Sequence, residues 1–160
     1  MIGTMMALVL GVQAAGAADL RQPGNVVSAL QAAGYKAQLK LNKAGEPFIE
    51  SATNGDPFTI DFYECDGLKD CKSMQFSSWY KKEPIFTPAV ANEWNAKRRF
   101  LKVAVDSDGD MRQFLDATVV GGMSQAQFAE VVQWYSDMDG MFATFLKEKR
   151  EAAKGKVAGK

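Results

Sequence analysis

Two short runs of alternating side chains set the frame of this chain. Phe58, Ile60 and Phe62 alternate with Thr59, Asp61 and Tyr63, the period of a strand with one buried face. Met74, Phe76 and Tyr80 alternate with Ser73, Gln75, Ser77 and Trp79. The two runs read as a hairpin with Tyr80 toward the core and Trp79 on the polar side. The same count by twos puts Cys65 with Asp61 and Tyr63, and Cys71 with Gln75 and Ser77. Both thiols are therefore expected on the polar face, where they can meet across the loop Asp66–Asp70. Upstream, Ala37, Leu39 and Leu41 alternate with polar residues, Lys43-Ala44-Gly45-Glu46 turns, and Pro47 to Ser51 returns. Thr53-Asn54-Gly55-Asp56 is the next turn, because Asn-Gly readily takes positive φ. Four successive strands predict an antiparallel meander.

Helical periods flank the strands. Val26, Val27, Leu30 and Ala33 give an apolar stripe over Val26–Ala33, with Asn25 as the expected cap and Gly34 as the stop. Glu83-Pro84 ends the meander, and Thr87-Pro88 is the preferred N-cap and first position of a second helix reaching about Arg98. Its apolar side is Val90, Ala91 and Trp94; Lys97, Arg98 and Arg99 sit at its C-terminal dipole end. Phe100–Val105 and Met111–Val120 read as strands around the turn Asp106–Asp110, and Gly121-Gly122 breaks the second. Ser124 with Gln127 forms a capping box before a helix carrying Phe128, Val131, Val132, Tyr135, Met138, Phe142, Phe145 and Leu146. From Lys147 the apolar face is lost, and residues 147–160 are expected to form a basic, disordered tail. The order α-β-β-β-β-α-β-β-α predicts an α+β domain over 18–146, an antiparallel sheet covered by helices.

Composition narrows the chemistry. The 160 residues include 47% hydrophobic positions and equal numbers, 19 each, of basic and acidic side chains, enough for one core and without a global pull toward nucleic acid or anionic membrane. Two cysteines and no histidine cannot supply a four-ligand Cys/His zinc site. A disulfide Cys65–Cys71 is favoured over two free thiols, and closing so short a loop contributes about 2 kcal/mol in the chain-entropy model. Such a bridge needs an oxidising compartment. The N-terminus points the same way: an apolar run from Met5 to Val12 precedes Ala15-Gly16-Ala17, a small-x-small cleavage pattern, although no Lys or Arg precedes the run. A signal peptide over 1–17, cleaved on export to the periplasm, is favoured over a buried N-terminal helix. The run is too short for a stable membrane anchor.

Several of these residues together resemble the YbjN family, described as bacterial sensory-transduction regulators. They are Leu30-Gln31-Ala32-Ala33-Gly34-Tyr35, the stretch Phe62–Tyr80, Asn92-Glu93-Trp94-Asn95 and Arg99-Phe100. Their order and spacing, over roughly Val26 to Leu146, carry the match, and the cysteine pair resembles an exported form of the family. The resemblance implies a fold like that of type III secretion chaperones and brings no catalytic residues.

Candidate sites follow from residue chemistry. Asp106-Ser107-Asp108-Gly109-Asp110 begins like a calcium loop, but Met111 and Ala117 stand where an EF-hand needs Gly and Glu; a hairpin turn is the expectation. Without histidine the commonest general base is missing. Asp61, Glu64, Asp66 and Asp70 cluster near the cysteines but read as solvated charges, and Gly121-Gly122-Met123 lacks a phosphate loop's lysine. No enzyme activity, cofactor or metal is expected. Trp94, Asn95, Arg98 and Arg99 have the composition of a binding hot spot, against a structural reading in which Trp94 is core and Asn95 caps or bridges. Trp79, Trp94, Asn95 and Arg98 are the candidate partner contacts. The expected function is a non-catalytic periplasmic module that binds a polypeptide, with homodimerisation open. The alternative is a carrier of a small molecule or lipid in an apolar cavity between sheet and helices.

Overall fold

The computed structural model of the chain describes residues 18–158, so the expected signal peptide lies outside the described residues. The elements are helix α1 (Pro23–Ala32), strands β1 (Ala37–Leu41), β2 (Pro47–Thr53), β3 (Asp56–Tyr63) and β4 (Ser73–Tyr80), helix α2 (Pro88–Lys97), strands β5 (Lys102–Val105) and β6 (Met111–Thr118), and helix α3 (Gln125–Ala158). The fold is α+β, in the expected order. All strand pairs are antiparallel, and the sheet runs β1-β2-β3-β4-β6-β5. The meander is therefore present, and β6 rather than β5 lies beside it.

Alternation decides which face is buried. Ile49, Phe58, Ile60, Met74, Phe76, Met111, Leu115 and Val103 point inward, against Phe128, Val132, Tyr135, Phe142 and Leu146 of α3. The rings interlock: Tyr135 lies 4.9 Å from Phe58 and 5.4 Å from Phe76, and Phe142 lies 4.9 Å from Trp94. The space between sheet and helix is filled by these rings, which leaves the carrier reading without an observation in its favour. Local signals work as the sequence implies. Asn54 and Gly55 both take positive φ, 52° and 91°, the conformation a two-residue hairpin loop requires. Thr87 Oγ1 accepts from Val90 N–H, and Ser124 and Gln127 cap each other reciprocally.

Three boundaries differ from expectation. Helix α1 begins at Pro23, with extended Gln22 as the N-cap and no side-chain cap. Proline is preorganised for the first turn, and Asn25 lies inside the helix, donating to the Asp19 carbonyl. Strand β5 starts at Lys102 because Phe100 takes a positive φ of 60°, which turns the chain out of α2. Strand β6 stops at Thr118, short of Val120. The parity count also fails at the cysteines. Glu64 and Asp70 both adopt positive φ, which breaks the alternation, and Cys71 is fully buried, not on the polar face. Its N–H donates to the Arg21 carbonyl at 3.0 Å. The Cys65–Cys71 disulfide itself is present.

The expected disordered tail is instead a continuation of α3 to Ala158. Its apolar stripe does end near Leu146, but ion pairs replace it: Lys149 Nζ lies 2.5 Å from Glu93, and Arg150 donates two hydrogen bonds, at 2.6 and 2.8 Å, to Glu83. Arg150 holds the Glu83 carboxyl below its ordinary value of 4.5, and Lys149, then Lys97, do the same for Glu93. A carboxyl with a lowered folded-state pKa stabilises fully above its unfolded value and loses that contribution as pH falls through the folded one. Helicity of the last turns of α3 is therefore expected to decline as the pH drops below about 4.5. Arg150→Ala should lower helicity at neutral pH and flatten this acid dependence, as circular dichroism and amide exchange over the tail would register.

Candidate protein-interaction surface

The sheet has two edges, and the chain treats them differently. In β5, Asp106 N–H bonds to the Asp110 carbonyl, so by antiparallel alternation Val103, paired with Gln113, directs its N–H and C=O outward. Asn95 of α2 takes both: its Nδ2 donates to the Val103 carbonyl and its Oδ1 accepts from the Val103 N–H, each at 2.9 Å. The neighbouring Trp94 Nε1 donates to the Leu101 carbonyl at 3.0 Å. This edge is closed by its own helix. In β1, the same alternation runs from the Asn42 N–H bonded to the Glu46 carbonyl, so Leu39 and Leu41 present their backbone groups outward. Their side chains are 45% and 56% exposed, and Gln31 reaches only the Ala37 carbonyl. This edge is open, with Lys40, paired to Glu50, as its charged guard.

The face of the sheet opposite the helices carries the second feature. Trp79, 48% exposed, pairs across the strands with Arg112. The guanidinium lies 4.6 Å from the Trp79 ring centroid and 5.7 Å from that of Phe114, and it donates to Gln75 Oε1. Gln75 in turn donates to Asp116 at 2.7 Å. Cation–π stacking of this kind keeps aromatic rings tolerable on a wet surface. Trp79 is therefore accessible, as parity indicates.

The other candidates separate. Trp94 is 1% exposed and is core, not a contact, because the α2 stripe turns it against Phe142 and Phe145. Asn95 is occupied with Val103. Arg98 is exposed, with its guanidinium 5.6 Å from the Trp94 ring. Three of the four carboxylates near the cysteines are engaged locally, Asp61 with Thr59 and Ser77, Glu64 with Lys72, and Asp70 with Gln22 and Arg21, while Asp66 is exposed. The Asp106–Asp110 segment is a turn in which Asp106 Oδ1 accepts from the N–H groups of Asp108 and Asp110, while Asp110 accepts from Lys81 and Lys82. Those two donors hold the Asp110 carboxyl below the ordinary carboxylate range, with Lys81 the larger cause. Among the described residues no group of three or more acidic, cysteine or histidine side chains is arranged to hold a metal ion.

Sequence reasoning missed a polar network inside the core. Gln113 and Asp139 are 0% and 1% exposed. Gln113 Nε2 donates to Asp139 at 2.5 Å, Asn54 Nδ2 donates to its other oxygen at 2.9 Å, and Tyr135 OH meets Ser78 Oγ at 2.8 Å. Burial pushes the Tyr135 phenol well up. The signal was available: Asp139 falls four residues after Tyr135 on the apolar stripe, and Gln113 lies between Met111 and Leu115 on the same, inward parity. A polar residue at a core-periodic position must find partners.

Two measurements follow. Asn95→Ala strips both partners from Val103 and should cost about 1–3 kcal/mol in chemical denaturation, with concentration-dependent association through β5 visible in light scattering. Asp139→Leu leaves the buried Gln113 amide without its carboxylate acceptor and should cost a similar amount, about 1–3 kcal/mol. The double variant Gln113→Leu/Asp139→Leu should cost clearly less than the two single changes added together; a strictly additive result would show that the pair is not coupled.

With the geometry in place, comparison with known proteins is direct. Residues 23–148 match the family model YbjN, whose description reads "Putative bacterial sensory transduction regulator". No curated protein sequence matches. Among solved structures, the chain is similar to that described as "Crystal structure of YbjN, a putative transcription regulator from E. coli", with a TM-score of 0.53 and 15% identity over 70% of this chain and 81% of that one. That likeness is one of fold. The family match spans α1, the whole sheet, α2 and α3 through the last core residue, Leu146, and on that match the chain belongs to the YbjN family.

Proposed function

We propose that this protein is a non-catalytic periplasmic interaction module, a regulator or adaptor that takes up a polypeptide by strand addition at β1. The observation that carries this reading is the asymmetry of the edges. One outward-facing backbone pair is filled by Asn95, while those of Leu39 and Leu41 are left open beside exposed apolar side chains. Strand addition draws its affinity from main-chain hydrogen bonds and its specificity from alternate side chains, and β1 offers both. The family description of a regulator supports a role without chemistry. The disulfide and the small-x-small pattern at Ala15–Ala17 support the oxidising compartment. Among the described residues no helix is long and apolar enough to cross a membrane.

The test places a photocrosslinking residue at Leu39 or Leu41, with Ala104 of β5 as the control, in the protein's own cells. A discrete adduct from β1 and none from β5 is expected, recovered from the periplasmic fraction. Leu39→Pro, which removes one outward N–H while leaving the β1–β2 bonds in place, should abolish it. No adduct from either β1 position, or an adduct untouched by Leu39→Pro, would overturn the reading.

A further inference from the structure

The β2–β3 turn holds the chain's one Asn-Gly step, and the fold uses both halves of it. Thr53 pairs with Asp56, so Asn54 and Gly55 form a two-residue loop, and their positive φ values are what that loop requires. The Asn54 side chain leaves the turn and lies on α3. Its two amide hydrogens find two acceptors there, the Ser136 carbonyl at 2.8 Å and an Asp139 carboxylate oxygen at 2.9 Å. Thr53 Oγ1 and Ser136 Oγ share a further hydrogen bond beside them. Gly140 passes close enough that a Cβ there would touch Asn54 Nδ2, at 3.5 Å. Asp139 is 1% exposed, and its other oxygen accepts from Gln113. Among the described residues no Lys or Arg lies within salt-bridge reach of it, so amide donors compensate this buried carboxylate.

Asn-Gly is also the step at which an asparagine side chain is most open to attack by its own backbone, because glycine has no Cβ to obstruct the approach. The Gly55 nitrogen forms a bond to Asn54 Cγ and the Cγ–Nδ2 bond breaks. The proton lost by the Gly55 nitrogen departs with Nδ2 as ammonia. Solvent water then opens the cyclic imide and leaves an aspartate, or its β-linked isomer, at position 54. In the folded chain both amide hydrogens are held by α3, so ring closure waits for turn and helix to part locally. The product cannot return to the same place. A carboxylate has no hydrogen to donate, and it would face the Ser136 carbonyl and the buried Asp139 carboxylate, a like charge. The β-linked isomer also lengthens the backbone of a loop whose length fixes the hairpin register.

We propose that Asn54 is a modification site that works as a one-way latch: as an amide it pins the β2–β3 turn to α3, and loss of its nitrogen to attack by Gly55 releases the helix for good. The helix register that the latch maintains also seats Trp134 flat on Phe100, with ring centroids 4.3 Å apart and planes within 11°. The latch is independent of strand addition at β1.

The test has two arms. In the first, the full chain, folded in neutral buffer, and a synthetic peptide of residues 44–69 are incubated side by side, and conversion at position 54 is read by peptide mass spectrometry. The folded chain should convert at least about tenfold more slowly than the peptide, and denaturant well below the unfolding midpoint should raise its rate. In the second arm, Asn54→Gly keeps the turn but removes the amide, and Asn54→Asp installs the product. Amide-exchange protection over 136–140 should fall in Asn54→Gly and fall further in Asn54→Asp, with β3 and β4 still protected. The near-ultraviolet dichroism of the Phe100–Trp134 stack should weaken in parallel. If Asn54→Asp does not fold, protection in Asn54→Gly decides. Equal rates in chain and peptide, or conversion that starts only with global unfolding, overturns the proposal. So does α3 protection in either folded variant equal to that of the wild type.

Discussion

Packing of the aromatic stripe of α3 onto one face of the sheet is the interaction from which the other features derive. Tyr135 sits against both Phe58 and Phe76 and shares a hydrogen bond with Ser78, so it ties the helix to β3 and β4 at once. Phe142 does the same with Trp94 and Tyr80 and draws α2 into the layer. Because apolar burial is the dominant favourable term, this contact fixes which face of each strand is inside. It thereby fixes which residues remain outside: Trp79 and Arg112 on the bare face, and Leu39 and Leu41 at the open edge.

Inside this contact the chain keeps a line of polar groups, from Asn54 through Asp139 and Gln113 to Tyr135 and Ser78. A dry helix–sheet interface can slide by a turn at modest cost. A carboxylate that accepts from Gln113 on β6 and from Asn54 in the β2–β3 turn resists this, because displacement leaves the buried Asp139 and Gln113 unpaired. The network therefore sets the register of α3 over the sheet and, with it, the position of Trp134 beside Phe100. Stability and register come from different residues of the same helix.

What the sequence revealed is what local chemistry controls. The alternation of Phe58, Ile60 and Phe62, the Asn54-Gly55 turn, the Thr87-Pro88 start and the Ser124–Gln127 box depend on neighbours a few positions away, and each stands in the structure. The family resemblance is likewise borne out over nearly the same residues. The failures have a common origin in contacts that sequence spacing does not report. Parity misplaced Cys71 because Glu64 and Asp70 leave the extended region. The tail past Leu146 is helical because Glu83 and Glu93, far away in the chain, supply counter-charges. Among the hot-spot candidates, Trp94 is enclosed by Phe142 and Phe145, whereas the aromatic exposed beside Arg99 is Phe100, stacked on Trp134, which sequence alone places in no cluster with it.

The disulfide has a consequence for how the chain reaches this state. Its cysteines are separated by only six positions, so they meet by closure of one small loop, an event faster than assembly of the sheet. Two cysteines also allow a single pairing within the chain. Oxidation therefore has no wrong partner within the chain to undo, whether it comes before or after the docking of α3. Once made, the bond presents Cys71, whose N–H donates to the Arg21 carbonyl, as a ready mooring for the segment that leads into α1.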